Sequence, residues 1–156
     1  MTKLGKLFIA FVLIICISAC GYTPIFSKKV VNFNIENIEF IGNKSIKESI
    51  VNALSNYQNK PGKEKKISLI LHSTKNKTTV SKNIKGEPQV YKVSVQVKMK
   101  VILSENSLFE KSLEKSATFS AVERKSDEEL IENNLVEDLS SQIAQQIILE
   151  LLEKTK

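Results

Sequence analysis

The stretch YKVSVQVKMKVIL, residues 91–103, decides the fold because its apolar side chains occupy every odd-numbered position. Side chains of a strand point alternately to its two faces, so this pattern predicts a long β-strand with one buried face. Residues 109–121 alternate in the same way and predict a second strand that pairs with the first as a hairpin. At about 3.3 Å per residue the first strand reaches about 40 Å, so we expect one hairpin end to extend beyond its covering helices.

The two alternating patterns also restrict how the hairpin strands align. If opposed positions sum to 212, apolar pairs such as Leu103 with Phe109, Met99 with Leu113 and Val93 with Phe119 form, whereas a one-residue slip would set valines against glutamates. Val101 and Val97 then face Lys111 and Lys115, which indicates where burial weakens. Lys98 then opposes Glu114 and forms an exposed ion pair worth about 0 to 1 kcal/mol. Lys92 and Lys100 have no such partner in this alignment, so we expect them to be freer to contact an anionic ligand.

Two further strands and the connection between them complete the predicted sheet. β-Branched and aromatic residues predict a strand over 33–41, with a bulge near Asn37 where the alternation slips. Alternation in 67–73 predicts another, and the polar residues 74–89 are expected to form a long connection. The element order β-α-β-β-β-α predicts an α+β fold, a two-layer sandwich whose four-stranded, mainly antiparallel sheet is covered by two helices.

The two helices are predicted at about 45–57 and 126–153 from apolar residues at helical spacing. Each prediction begins with a capping box, in which Ser45 or Ser126 is followed three residues later by Glu. The last two turns of the second helix are apolar almost all round, which predicts burial on more than one side. This fold or another protein could bury them, and we favour a partner protein.

Composition limits the size and the function of the chain. With 156 residues, 42% apolar and 26% charged, it suits one ordinary domain. Of its 23 basic residues, 22 are Lys and Arg124 is the single Arg, which disfavours sequence-specific nucleic-acid binding because the guanidinium is the group that reads phosphates and bases bidentately. Residues 126–153 carry eight acids and no base, so the positive charge lies in the rest of the chain. This division predicts either two ordinary solvated surfaces or an electrostatic field, negative at the helix and positive at the strands, that serves a function.

The amino terminus has the pattern of an export signal. Basic Lys3 and Lys6 precede an apolar run at 7–17, and small residues follow it. The run is shorter than the roughly 20 residues that span a bilayer, so a transmembrane helix is the minor alternative. Ile17-Ser18-Ala19-Cys20 resembles the bacterial lipobox at every position. The resemblance implies cleavage after Ala19, a diacylglyceryl group on the Cys20 sulfur and an acyl group on the freed amine, whereas an unprocessed Cys in an ordinary signal is the alternative.

These features divide the chain into three parts. Residues 1–19 are predicted to be a lipoprotein signal peptide, 20–32 a lipidated tether and 33–156 a single α+β domain. Several acyl chains, at about 0.8 kcal/mol per buried methylene, exceed the two-anchor requirement for stable membrane attachment. Lipidation would leave the mature chain without a free thiol, so we expect packing rather than disulfides to stabilise it.

Catalytic motifs are absent from the sequence. It contains no glycine-rich phosphate loop, paired-cysteine motif, metal-binding histidine spacing or nucleophile elbow. His72 is the only histidine, and a general base needs partners that its sequence neighbours do not supply. We therefore expect neither enzymatic activity nor a metal or cofactor apart from the lipid groups on Cys20.

The lipobox, the opening CGYTPIF at residues 20–26 and the element order together resemble the LptE family of lipopolysaccharide-assembly lipoproteins. The resemblance implies an outer-membrane, periplasm-facing lipoprotein that plugs the LptD β-barrel, assists its assembly and contacts lipopolysaccharide during delivery to the cell surface. Gly21 is compatible with this location, because an Asp there would favour inner-membrane retention. Lys92, Lys98 and Lys100 are the candidate lipopolysaccharide contacts, although the near absence of Arg departs from the family. The alternative is a non-catalytic structural or envelope-anchoring lipoprotein without a lipid ligand.

Overall fold

The alternating stretch at residues 91–103 lies within a β-sheet in the computed structural model. The structure describes residues 32–59, 65–103 and 106–155. These residues contain four strands and two helices in the predicted order. They are β1 (Phe33–Ile41), α1 (Lys44–Ser55), β2 (Lys65–Lys82), β3 (Pro88–Leu103), β4 (Asn106–Ser120) and α2 (Lys125–Lys154).

The four strands lie side by side in the order β1-β2-β3-β4. β1 and β2 are parallel, whereas β2 with β3 and β3 with β4 are antiparallel. A parallel pair needs a crossover connection, which α1 supplies. α2 packs against α1, β3 and β4, so both helices cover one face of the sheet. The predicted two-layer α+β sandwich with a mainly antiparallel sheet is confirmed.

The core lies between this covered face, here called the inner face, and the two helices. The odd-numbered residues of β3 from Val93 to Val101 point inward and are almost completely buried. Both helices meet them with apolar stripes, and each fully buried Ile or Leu contributes about 1.5–3 kcal/mol. The buried helical residues include Ile46, Ile50 and Leu54 of α1 and Val136, Leu139, Ile143, Ile147 and Leu151 of α2. The opposite face, here called the outer face, is covered by no helix or strand among the described residues.

The last two turns of α2 are buried by this fold itself. Ile147 and Leu151 are fully buried, and Ile148 and Leu152 are 8% and 7% exposed. α2 has the sheet on one side and α1 on the other, which accounts for a helix that is apolar almost all round. Our preference for burial by a partner protein was therefore wrong for these residues.

Both helices begin differently from the predicted capping boxes. Asn43 caps α1, because its Oδ1 accepts hydrogen bonds from the backbone N–H groups of Ser45 (2.9 Å) and Ile46 (3.3 Å). Asn is as effective a cap as Ser, and here it stands where the chain leaves β1. α2 begins after Arg124, whose side chain makes no capping bond. The acids of its first turn instead lie where the helix dipole is positive.

Residues 74–89 form mostly strand, so the predicted long connection was wrong. β2 continues to Lys82 and pairs with β3 as far as Pro88, which leaves only a short turn at 83–87. The segment is polar because much of it faces solvent, so burial gave no alternating signal. Pairing with the strongly alternating β3 holds it in the sheet, and Thr78 and Thr79 suit a strand.

The alignment of β3 with β4 differs from the prediction by two residues. Opposed positions sum to 210 rather than 212 over most of the pair, because the strands are joined by a connection shorter than predicted. Side chains alternate with a period of two, so every residue keeps its predicted face. The neighbours change, however. Lys98 opposes Ser112 instead of Glu114, and Lys100 opposes Glu110.

β1 is shorter than β2 and leaves the sheet at Gly42, with a φ of 134° that favours glycine. A Cβ atom there would lie 2.5 Å from the backbone oxygen of Ser73, so the site has no space for a side chain. The Ser73 hydroxyl accepts a hydrogen bond from the Asn43 backbone N–H at 3.1 Å. Earlier in β1, the predicted bulge is confirmed by a register shift between Ile35 and Asn37.

Candidate functional site

A groove on the outer face is the candidate site. It has a volume of about 420 Å³ and is built from three neighbouring strands. Because the inner face is filled by the core, the outer-facing side chains of these strands are available to a ligand. The outer-facing lining residues are Ile70 and His72 of β2, Lys98 and Lys100 of β3, and Glu110 and Ser112 of β4. Met99 and Lys111 also line the groove, but their side chains belong to the inner face, where Met99 is buried and Lys111 binds Glu150 of α2.

Two rows of opposed residues form most of the groove. One row runs from Ile70 through Lys100 to Glu110, and the other runs from His72 to Lys98 and then to Ser112. Because strands lie about 4.7–4.9 Å apart, a ligand of modest size can contact both rows at once.

Lys100 forms an ion pair, contrary to its prediction as a freer lysine. Its Nζ lies 3.2 Å from a carboxylate oxygen of Glu110. The two side chains are 43% and 66% exposed, so water screens the pair and its net worth is about 0 to 1 kcal/mol. The shifted register produces this contact. An anion could still bind Lys100, but it would compete with Glu110.

Lys98 is the lysine of the groove that is exposed and makes no ion pair with any residue in the described ranges. The predicted pair with Glu114 is absent because Ser112 lies opposite it. Its other cross-strand neighbour is His72. A hydroxyl and an imidazole beside an unpaired ammonium group supply hydrogen bonds and one positive charge to an anionic oxygen.

Lys92 lies on the same face but outside the groove. It is six residues from Lys98 along β3, or about 20 Å. Its neighbours across the sheet are Thr78 and Thr118, and it makes no ion pair with the residues that the structure describes. The structure therefore brings Lys98 and Lys100 together and places Lys92 at a separate position.

Aliphatic residues next to the groove were not predicted as part of a site. Ile41 pairs with His72 at the edge of the sheet and is 48% exposed, and Leu108 of β4 is 38% exposed. Ile70 and Ile102 also occupy outer-face positions and are half-buried. Ile70 and Ile102 interrupt otherwise polar positions in the sequence, which is the signal that could have identified them. Together with the lysines they give the groove an amphipathic surface.

A second charged cluster lies between the inner face and the start of α2. In this Lys77 cluster, Lys75 Nζ lies 2.7 Å from Glu132, and Lys77 Nζ lies 2.9 Å from Glu132 and 2.7 Å from Glu128. The Lys77 ammonium group also lies 4.3 Å from the ring centre of Tyr91. Each charged group of the cluster has a partner of opposite charge, and these ion pairs hold α2 to β2.

The pKa values in the cluster follow its ion pairs. Burial alone would raise the pKa of Glu132, but hydrogen bonds and charges from Lys75 and Lys77 outweigh it, so the pKa lies below its ordinary value. Burial likewise opposes protonation of Lys77, yet its two glutamate partners raise the pKa above its ordinary value. Both groups therefore stay charged over the physiological range.

The predicted amino-terminal features lie outside the described residues, which also contain neither a metal-binding group nor a membrane-spanning helix. The signal peptide at 1–19, Cys20 and residues 20–31 of the predicted tether fall outside the described residues. In the ranges the structure does describe, no group of three His, Cys, Asp or Glu side chains could hold a metal ion. No helix in the same ranges combines the length and the apolar character needed to cross a membrane.

The sandwich of one four-stranded sheet and two helices also occurs in solved structures of bacterial lipoproteins. The chain is 14% identical to rare lipoprotein B from Shewanella oneidensis, with a TM-score of 0.60 over 77% of this chain and 96% of that one. It is 12% identical to a minor lipoprotein from Acinetobacter baumannii, with a TM-score of 0.62 over 81% and 94%. Uncharacterized lipoprotein B from Nitrosomonas europaea gives 18% identity and a TM-score of 0.51 over 75% and 83%. These likenesses show a shared fold.

Comparison by sequence adds no relative. No protein-family model matches the chain, and no curated protein matches it.

Proposed function

We propose that this protein is an LptE-like lipoprotein of the outer membrane that plugs an LptD-like β-barrel, assists its assembly and contacts lipopolysaccharide on its way to the cell surface. The observation that carries the proposal is the uncovered outer face, which combines polar residues with the lysine-lined, partly aliphatic groove. The lipobox at Cys20 and the fold shared with solved lipoproteins support the anchored class.

The outer face suits a plug because it can meet both water and an amphipathic ligand. Beyond the groove its rows contain hydroxyl and amide side chains, including Asn76, Ser94 and Ser116. Such groups remain hydrogen-bonded in a wet lumen, so burial within a barrel would not leave them unsatisfied. The helices meanwhile are held to the inner face by the core. The domain can therefore occupy space in a barrel without changing its own packing.

The groove suits the phosphorylated and acylated end of lipopolysaccharide. Lys98, which has no ion-pair partner among the described residues, offers its ammonium group to a phosphate, and Lys100 can exchange Glu110 for the same group. Ile70 and Ile41 offer aliphatic surface beside these charges. We propose that binding and positioning, rather than catalysis, is the role of this site.

Purification of the tagged full-length chain with its membrane partners tests the proposed function. Recovery of an LptD-like barrel, identified by mass spectrometry, supports the plug. Recovery of only peptidoglycan or small lipoproteins would support the structural alternative and reject the plug. Mass measurement of the same sample tests the anchor, because an unmodified precursor at Cys20 would contradict lipidation.

The ligand contact is tested by crosslinking to lipopolysaccharide in the same cells. Lys98→Glu is expected to reduce crosslinking severalfold, because it replaces the unpaired ammonium group with a like charge to phosphate. Lys92→Glu is the matched control, since it makes the same change on the same strand and face but outside the groove. Equal crosslinking in both variants would reject the groove as the site, while barrel recovery reports that the variants still assemble.

A further inference from the structure

The turn that joins β2 to β3 presents an isolated apolar residue to solvent. In this hairpin tip, defined as Asn83–Glu87, Ile84 is fully exposed. Every other large apolar residue that is described as exposed keeps at least part of its surface covered, from Leu149 at 37% to Leu130 at 61%. An exposed aliphatic side chain does not stabilise the free domain, because apolar side chains stabilise a fold only when they are buried.

Hydrogen bonds nevertheless define the backbone conformation of the tip. The Asn83 Oδ1 accepts hydrogen bonds from the backbone N–H groups of Lys85 and Glu87, both at 2.9 Å. The Asn83 side-chain amide donates to the Glu87 carboxylate at 2.7 Å. Gly86, with a φ of 82°, closes the turn by donating its N–H to the Asn83 carbonyl. The backbone that carries Ile84 is therefore held in a defined turn, which lowers the entropic cost of ordering the loop when a partner binds.

The position of the tip makes it accessible. β1 ends opposite His72, whereas β2 continues ten residues further to Lys82. At about 3.3 Å per residue, the tip extends about 33 Å beyond the end of β1. The His72–Lys98 row of the groove lies at the level where β1 ends, so a contact at the tip is equally far from the groove.

The charges around the tip indicate the chemistry of its partner. Lys82 and Lys85 flank Ile84, are exposed and make no ion pair with the described part of the chain. The single acid, Glu87, is already bound by the Asn83 amide. A complementary surface would have an apolar pocket with carboxylates at its rim.

We infer that the hairpin tip inserts Ile84 into an apolar, carboxylate-rimmed pocket of the barrel partner. The inference rests on the proposed function, because it takes the proposed LptD-like barrel as the partner that receives Ile84. A single aliphatic residue on a fixed turn fits a protein pocket better than a lipid surface, since stable membrane binding needs a larger apolar area.

Copurification of tagged full-length variants with the barrel tests the inference. Ile84→Ser is expected to reduce the LptD-like barrel recovered per lipoprotein at least tenfold, as for truncation of an interface hot spot. Leu130→Ser is the matched control, because it removes another exposed aliphatic side chain from α2 and should leave recovery unchanged. Lys85→Glu should also reduce recovery, with a loss that is smaller at high salt. Melting curves of all three should match the original protein.

The outcomes separate the two proposals. If the original chain recovers the barrel and Ile84→Ser recovers it equally well, the tip contact is rejected and the plug stands. If Leu130→Ser loses as much barrel as Ile84→Ser, the loss is not specific to the tip and the inference is again rejected. Undiminished recovery by Lys85→Glu would reject the carboxylate rim. Failure of the original chain to recover any barrel would reject the proposed function itself.

Discussion

Replacing Glu132 by Gln is expected to destabilise the protein by about 2 kcal/mol, because Glu132 joins two lysines of β2 to the start of α2. Its side chain is only 11% exposed, and it accepts from Lys75 at 2.7 Å and from Lys77 at 2.9 Å. The substitution keeps the shape of the side chain but removes the negative charge that holds both ammonium groups.

The magnitude follows from opposing contributions. A hydrogen bond to a charged group contributes about 1.5–3 kcal/mol, and Glu132 makes two of them. The amide oxygen of Gln can still accept one. The Lys75 and Lys77 side chains are 32% and 27% exposed, so water can solvate part of the charge left behind. These offsets keep the loss below the 3–5 kcal/mol typical of breaking a fully buried pair.

Urea denaturation at neutral pH measures this loss, which should lower the midpoint at an unchanged slope. A loss of this size should lower the melting temperature by about 6–10 °C. The control is Glu114→Gln on the exposed outer face, which should stay within about 0.5 kcal/mol. If Glu132→Gln also stays within that range, the Lys77 cluster does not hold α2 to β2, and the predicted contribution of its ion pairs to stability is refuted.

Three further predictions concern stability. The lowered pKa of Glu132 adds stability that is complete above its ordinary value of 4.5 and is lost as the pH falls through the folded value, so acidification should weaken the original protein more than Glu132→Gln in urea titrations. Gly42→Ala should cost about 2–4 kcal/mol by the same measurement, because its Cβ would meet Ser73 at a positive φ, and a loss below about 1 kcal/mol would contradict this. Ile147→Ala should cost about 2–5 kcal/mol and Leu149→Ala much less, whereas equal costs would contradict burial of the α2 end by this fold.

The faces of the sheet could be predicted from sequence, but the neighbours across it could not. Alternation in residues 91–103 assigns each side chain to a face because that face is either buried or solvated. A shift of two residues preserves this assignment, so the apolar pattern is equally satisfied at sums of 210 and 212. The length of the connection after Leu103 decides between them, and its residues carry no periodic signal.

Because the register could not be predicted, the ion-pair partners of the site lysines could not be predicted either. Lys98 and Lys100 could be placed on the outer face, but whether each has an acidic partner depends on the register, and both of those assignments were wrong. The extension of β2 was missed because a strand exposed to water needs no apolar residues. Its ion pairs with α2 join positions more than 50 residues apart, such as Lys77 and Glu128, and sequence spacing gives no information on them.

The acids of α2 and the lysines of the sheet do not form two independent surfaces. The Lys77 cluster joins them at one end of the helix, and Glu150 binds Lys111 at 2.5 Å near the other. Helix acids therefore neutralise three lysines of the sheet, Lys75, Lys77 and Lys111, within the fold, so these three charges are not freely available to a ligand. On the outer face of β3, Lys92 and Lys98 make no ion pair with described residues, and only Lys98 adjoins the groove. Anion binding should accordingly depend on the position of one lysine rather than on the net charge of the chain.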